Sequence, residues 1–83
     1  MVDNYPSIDL HGEYLDNAII LVKEFINDNI ILRQENIVII HGIGTDILRK
    51  GIHDYLKHDK RVISFKRNFF NLGETFVKLK IGE

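Results

Sequence analysis

Four consecutive β-branched residues, Ile37-Val38-Ile39-Ile40, run straight into His41-Gly42-Ile43-Gly44-Thr45. Of all stretches in the 83-residue chain, this one limits the fold most tightly. Branched side chains stiffen at χ1 and pack well on a pleated surface, so an unbroken run of them reads as a central strand. Two glycines then allow a turn with φ > 0 and a close approach of backbone to a ligand. Helical spacing follows, with Leu48, Ile52, Tyr55 and Leu56 on one stripe and Thr45 or Asp46 placed to cap it. A strand that stops at a histidine, turns through glycines and enters a helix aims the first helical N–H groups outward. Those groups lack internal partners, so an anion can use them.

A second pair, His11-Gly12, closes an alternating strand over residues 8–11. From Tyr14 a long helix is expected, with Leu15, Ala18, Ile19, Val22, Phe25, Ile26 and Ile30 at spacings of three and four. It should fray over residues 29–32. A third strand is expected at 62–65, a loop at 66–73 and a half-exposed fourth strand at 74–81. Phe69 and Phe70 in that loop are expected to tuck against the core rather than stack on bases. His53 and His58 fall off the helical stripe and read as surface residues. Gly51 inside the helix points to a close packing contact. Residues 1–7 read as a flexible lead-in and 8–83 as one domain.

The order β-α-β-α-β-β predicts an α/β two-layer sandwich with a mixed four-stranded sheet. Right-handed crossovers make the first two strands parallel and put both helices on one face. Both His-Gly pairs then lie at the carboxyl edge, where open α/β sheets bind ligands.

Composition narrows the function classes. The chain has no cysteine, which removes disulfides and thiolate metal sites and fits a reducing cytoplasm. No apolar run approaches the roughly 18 residues of a membrane span, so no membrane partner is expected. Residues 1–6 lack the basic region and apolar core of a secretion signal. The net charge of −1 is unevenly spread. Residues 1–45 carry two basic and seven acidic side chains; residues 46–83 carry nine and five. A basic second half suits a polyanion, and it also suits an ordinary solvated surface.

Asp9 and His11 stand two apart on a strand, so their side chains share a face. A carboxylate there fixes one tautomer of the imidazole and raises its basicity. With His41 facing the same cleft, one histidine takes a proton from a nucleophile and the other protonates a leaving oxygen. Backbone N–H groups stabilise the charge that builds on phosphorus. RNA brings its own nucleophile, the 2′-hydroxyl, and needs no metal. DNA needs an activated water, which a divalent ion such as Mg or Mn supplies.

These residues resemble the Smr domain, the small MutS-related domain found at the C-terminus of type-2 MutS proteins and as stand-alone chains. The family's Leu-Asp-Leu-His-Gly is matched by Ile8-Asp9-Leu10-His11-Gly12. Its His-Gly-x-Gly is matched by His41-Gly42-Ile43-Gly44, and its Leu-Arg by Leu48-Arg49. Its late Gly-x-Thr-x-Val is matched by Gly73-Glu74-Thr75-Phe76-Val77. The resemblance spans residues 8–81 and implies sheet order 1-2-4-3. It also implies binding of branched DNA or RNA, and nicking endonuclease activity in DNA repair or ribosome quality control. Ribosomes and further domains of a larger MutS-like protein are implied as partners. Carried over by motif, Asp9, His11 and His41 are catalytic. By the same match Gly42, Gly44 and Arg49 hold phosphate; the residues themselves add Thr45 to the phosphate-holding turn, and Lys50, Lys66 and Arg67 as expected contacts to the nucleic-acid backbone. The chain departs from the pattern at Ile43, often basic, and at Asp46, often glycine. Phosphate held by backbone more than by charge is the expected consequence.

Overall fold

The computed structural model describes residues 4–44 and 46–82. Its elements run β1 (Ser7–Asp9), α1 (Leu15–Ile31), β2 (Asn36–Ile40), α2 (Asp46–His58), β3 (Val62–Arg67) and β4 (Glu74–Leu79). The β-branched run occupies an inner position: β2 pairs in parallel with β1 on one side and antiparallel with β4 on the other. β3 closes the sheet against β4, giving the order β1-β2-β4-β3.

The sheet turns one face to the helices. Ile37, Ile39, Val77 and Leu79 supply the strand side of the core, and Ala18, Val22, Ile26, Leu48, Ile52 and Leu56 supply the helix side. Most of these side chains are fully buried. Burial of each is worth about 1.5–3 kcal/mol relative to exposure, so this single layer is the main source of stability. Leu15 of α1 lies over Gly51 of α2, and a Cβ at Gly51 would overlap its isobutyl group. The glycine thus marks where the two helices come closest. Among the described residues, no helix is long and apolar enough to cross a membrane.

Several boundaries differ from the sequence expectation, each for a physical reason. β1 ends at Asp9, although Leu10 N–H still donates to Ile40 O at 2.7 Å. Residues 1–3 of the expected lead-in lie outside the described residues, while the carbonyl of Pro6 accepts from Val38 N–H at 2.9 Å. α1 does not fray at 29. Asn29 is buried and its Nδ2 donates to Phe25 O at 2.8 Å, which keeps the last turn helical. The helix stops at Ile31. Gln34 N–H bonds Asn29 O and Arg33 N–H bonds Ile30 O, with Arg33 at φ +59°. That is a Schellman stop with an arginine in the left-handed position usually given to glycine. β3 extends to Arg67, because Lys66 and Arg67 pair with Phe76 and Thr75.

Gly51→Ala and Leu15→Ala should be coupled in urea unfolding. The double variant is expected to be more stable than the sum of the single effects by on the order of 1 kcal/mol, because removing Leu15 clears the space the new methyl needs.

Candidate functional site

The two His-Gly pairs meet. Parallel pairing ends β1 and β2 at the same edge, and Gly42 lies against His11. A Cβ on Gly42 would fall 3.0 Å from His11 Cβ, and the glycine sits at φ +87°, where a side chain is strained. The turn is fastened to the β3–β4 loop: His41 N–H and Gly42 N–H both donate to Gly73 O, at 2.8 and 3.0 Å. The N–H of Gly42 is therefore spent inside the fold. Those of Ile43 and Gly44 have no backbone acceptor among the described residues. Thr45, expected to contact phosphate and cap the helix, lies outside the described residues.

Asp9 and His11 are brought together as expected. Asp9 Oδ1 accepts from His11 N–H at 3.1 Å and stands 2.6 Å from His11 Nδ1. Both side chains are more than half exposed. The carboxylate hydrogen bond raises the His11 pKa above its ordinary value, and the same bond holds Asp9 below the usual carboxylate value. A carboxylate accepts, so Nδ1 carries the proton and Nε2 is left to exchange one with a substrate.

His41 is placed differently. Its side chain is on the helix-covered side, and the residue is only 4% exposed. Its Nδ1 lies 3.1 Å from Gly42 O and its Nε2 lies 2.9 Å from Thr75 Oγ1. The same hydroxyl stands 2.7 Å from His53 Nε2. These partners assign the protons. A carbonyl only accepts, so His41 Nδ1 donates to Gly42 O. Burial lowers the His41 pKa, so the ring is neutral and Nε2 accepts from the Thr75 hydroxyl. The Thr75 oxygen then accepts from His53 Nε2–H. The outcome is a directed chain, His53 to Thr75 to His41 to the Gly42 carbonyl.

His53 was expected at the surface, and the structure corrects that. Its ring packs at 4.9 Å from Phe65 and 5.9 Å from His41. Burial, then the neighbouring His41, Arg49, Arg67 and Lys57, lower its pKa from 6.5 to about 4. The signal was present: His53 stands three residues before Leu56 and four after Arg49, on the flank of the apolar stripe rather than opposite it.

The expected phosphate-binding cations divide. Arg49 is mostly covered and pairs with Asp46, with Nε–Oδ1 and Nη2–Oδ2 both at 3.3 Å. Lys50 is exposed on α2. Arg67 faces the His41 side of the sheet, with Nε donating to Leu72 O at 2.9 Å. Lys66, one residue earlier, points to the opposite face of the strand. Phe69 and Phe70, expected in the core, are 79% and 102% exposed at the tip of the loop. Asn68 and Asn71 side chains hold that loop through Phe70 N–H, Gly73 N–H and Glu74, which leaves the aromatic rings outside. Among the described residues Asp9 is the carboxylate paired with His11, and no three His, Asp or Glu side chains converge as metal ligands. That donor set does not fit a resident metal centre.

With this geometry in hand, comparison with known proteins is specific. The Smr domain profile matches residues 8–80. The chain is 43% identical over 81 residues to an endonuclease MutS2 of Finegoldia magna, covering 94% of this chain and 10% of the relative. It is 40% identical over 76 residues to an endonuclease MutS2 of Bacillus cytotoxicus, covering 88% and 10%. The chain thus spans about a tenth of the curated relatives it matches. The crystal structure of the Smr domain of Thermus thermophilus MutS2 superposes with a TM-score of 0.86 at 31% identity, covering 90% of this chain and 98% of that one. YdaL, a stand-alone small MutS-related protein from Escherichia coli, shares the fold, with a TM-score of 0.86 at 21% identity over 94% of this chain and 66% of that one.

Two measurements check this description. Thr75→Val should cost about 1–3 kcal/mol at pH 7 in urea unfolding, because two buried ring nitrogens lose their shared partner. Acid should also weaken the fold. The unfolded chain protonates His53 at the ordinary 6.5 and the folded chain only near 4. The stability held by the neutral ring is complete above 6.5 and is lost as the pH falls toward 4. His53→Gln should flatten that loss in a series of unfolding midpoints against pH. His11 has a raised pKa and opposes the trend, its contribution fading as the pH rises.

Proposed function

Because the chain belongs to the Smr domain family, we propose that it binds nucleic acid and cleaves phosphodiester bonds as an endonuclease. The observation that carries this reading is the exposed Asp9–His11 pair seated against the Gly42 turn. Asp9 holds His11 Nδ1, so His11 Nε2 takes the proton of the attacking oxygen. On RNA that oxygen is the 2′-hydroxyl. It bonds to phosphorus, the bond to the 5′-oxygen breaks, and His11 returns the proton to the leaving oxygen. On DNA a water attacks in its place. The Gly44 N–H, the first turn of α2, Arg49 and Lys50 hold the phosphate.

His41 acts in this scheme from beneath. Its Nδ1–H fixes the Gly42 carbonyl and so the shape of the turn. A proton delivered by His41 itself would require the ring to give up Thr75 and Gly42 together. The chain spans a tenth of its MutS2 relatives, and within a larger MutS-like protein the choice between DNA and RNA targets would fall to other domains.

A second reading is a binding module without cleavage. It is favoured by Ile43, an exposed apolar residue in the turn, and by Asp46, which occupies the Arg49 guanidinium. Labelled RNA and branched DNA separate the two. His11→Ala should lower cleavage by roughly 100-fold or more and leave binding within about twofold. The rate should rise with pH through the raised pKa of His11, and Asp9→Asn should move that inflection down. Equal cutting by His11→Ala would defeat the acid–base scheme. Tight binding by the wild type with no cutting under any divalent ion would leave the binding module.

A further inference from the structure

The helices cover one face of the sheet and leave the other open, and strand register fixes what that open face presents. Val38, Phe76 and Lys66 stand side by side, with Ser7 beside Val38 at the β1 edge. The next row toward the far end holds Asn36, Lys78 and Ser64. The row toward the His-Gly edge holds Asp9, Ile40 and Glu74. Asp9, the partner of His11, therefore belongs to the open face. Rows are two residues apart, about 7 Å along the strands.

A cleft of about 490 Å³ lies on this face. The side chains around it are Tyr5, Asn36, Ser64, Lys66, Phe76 and Lys78, over a floor formed by the strands at Ile37, Phe65 and Val77. Two aromatic rings, two ammonium groups and two neutral hydrogen-bonding side chains line it, and no carboxylate does. Lys78 pairs with Glu35 at 3.6 Å on the surface, a contact that water and salt weaken. The volume suits a small ligand of nucleotide size.

We propose that the open face of the sheet binds single-stranded nucleic acid, with the cleft between Tyr5, Phe76, Lys66 and Lys78 holding one unpaired nucleotide of the strand that the Asp9–His11 pair would cut. The inference rests on the nucleic-acid reading of that pair. A ring on a sheet face meets the π-face of a base only when the base is free of its own stack, which selects single strands over duplexes. Lys66 and Lys78 neutralise the phosphates on either side. Asn36 and Ser64 meet the base edge with donors and acceptors. The Phe76 row is one step from the Asp9 row, so a strand crossing the face reaches His11 without bending around the sheet edge. The surface also gives Lys66 a role that its position opposite Arg67 denies it at the turn.

The test uses the whole chain with His11→Ala added to prevent cutting. Binding of a labelled 12-nucleotide oligouridine and of a 12-base-pair RNA duplex is followed by fluorescence anisotropy across salt concentrations. Phe76→Leu should weaken oligouridine binding by about tenfold, as the loss of one stacked base does, and change duplex binding by less than about twofold. Lys66→Ala with Lys78→Ala should lower the salt slope for oligouridine by about 1.4, the share of two single-strand phosphates. Tyr5 is 42% exposed, so Tyr5→Ala gives the same reading should Phe76→Leu disturb the fold. If the parent binds oligouridine and these variants bind it equally well, the cleft is not the site and the catalytic reading stands. Equal losses for single strand and duplex would also overturn the proposal. If the parent binds neither RNA, nor a 12-nucleotide oligothymidine, nor branched DNA, both readings fall.

Discussion

His11 stands in the space that a side chain on Gly42 would occupy, and the edge of this molecule is built around that contact. It requires that two strands end together, which parallel pairing of β1 and β2 provides. It requires a residue without a Cβ two positions beyond the end of β2, and a backbone that turns there to positive φ. It then requires the turn to be fixed, which the Gly73 carbonyl does by accepting from both His41 and Gly42. Three segments distant in sequence thus close on one point. The turn that leads into α2 is thereby held against His11.

The site has two layers with opposite electrostatics. Above, Asp9 and His11 are exposed, and their hydrogen bond favours the charged form of each. Below, His41 and His53 are held neutral by burial and by the cations around them. The two layers meet at Gly42, whose carbonyl accepts from the lower layer and whose missing side chain makes room for the upper one. A neutral lower layer lets the turn keep its shape without placing a second positive charge beneath it. Charged and structural histidines are separated by depth rather than by sequence distance.

Much of this was legible in the chain. The β-branched run 37–40, the alternation before His11 and the helical stripes specified the element order, and the element order with right-handed crossovers placed both His-Gly pairs on one edge. The sheet order came from resemblance, since antiparallel partners cannot be ranked from periodicity alone. The orientation of His41 was hidden. A residue at a strand end can turn either way, and the partner that receives its inward nitrogen, the Thr75 hydroxyl on β4, lies 34 positions later. His53 was hidden for the same reason: its partner lies 22 positions away. Phe69 and Phe70 were misjudged because apolar loop residues usually find cover, and here asparagine side chains shape the loop without them. Lys66 and Arg67 looked like one cationic pair until the pleat sent them to opposite faces.

The central claim is that a phosphate sits between His11 and the start of α2. A co-crystal structure with a 2′-O-methyl oligoribonucleotide, which cannot supply its own nucleophile, tests it most directly. The account predicts one phosphate oxygen within about 3 Å of His11 Nε2 and another at the Gly44 N–H. A bound strand whose phosphates all lie away from both groups, with His11 still facing solvent, would contradict it.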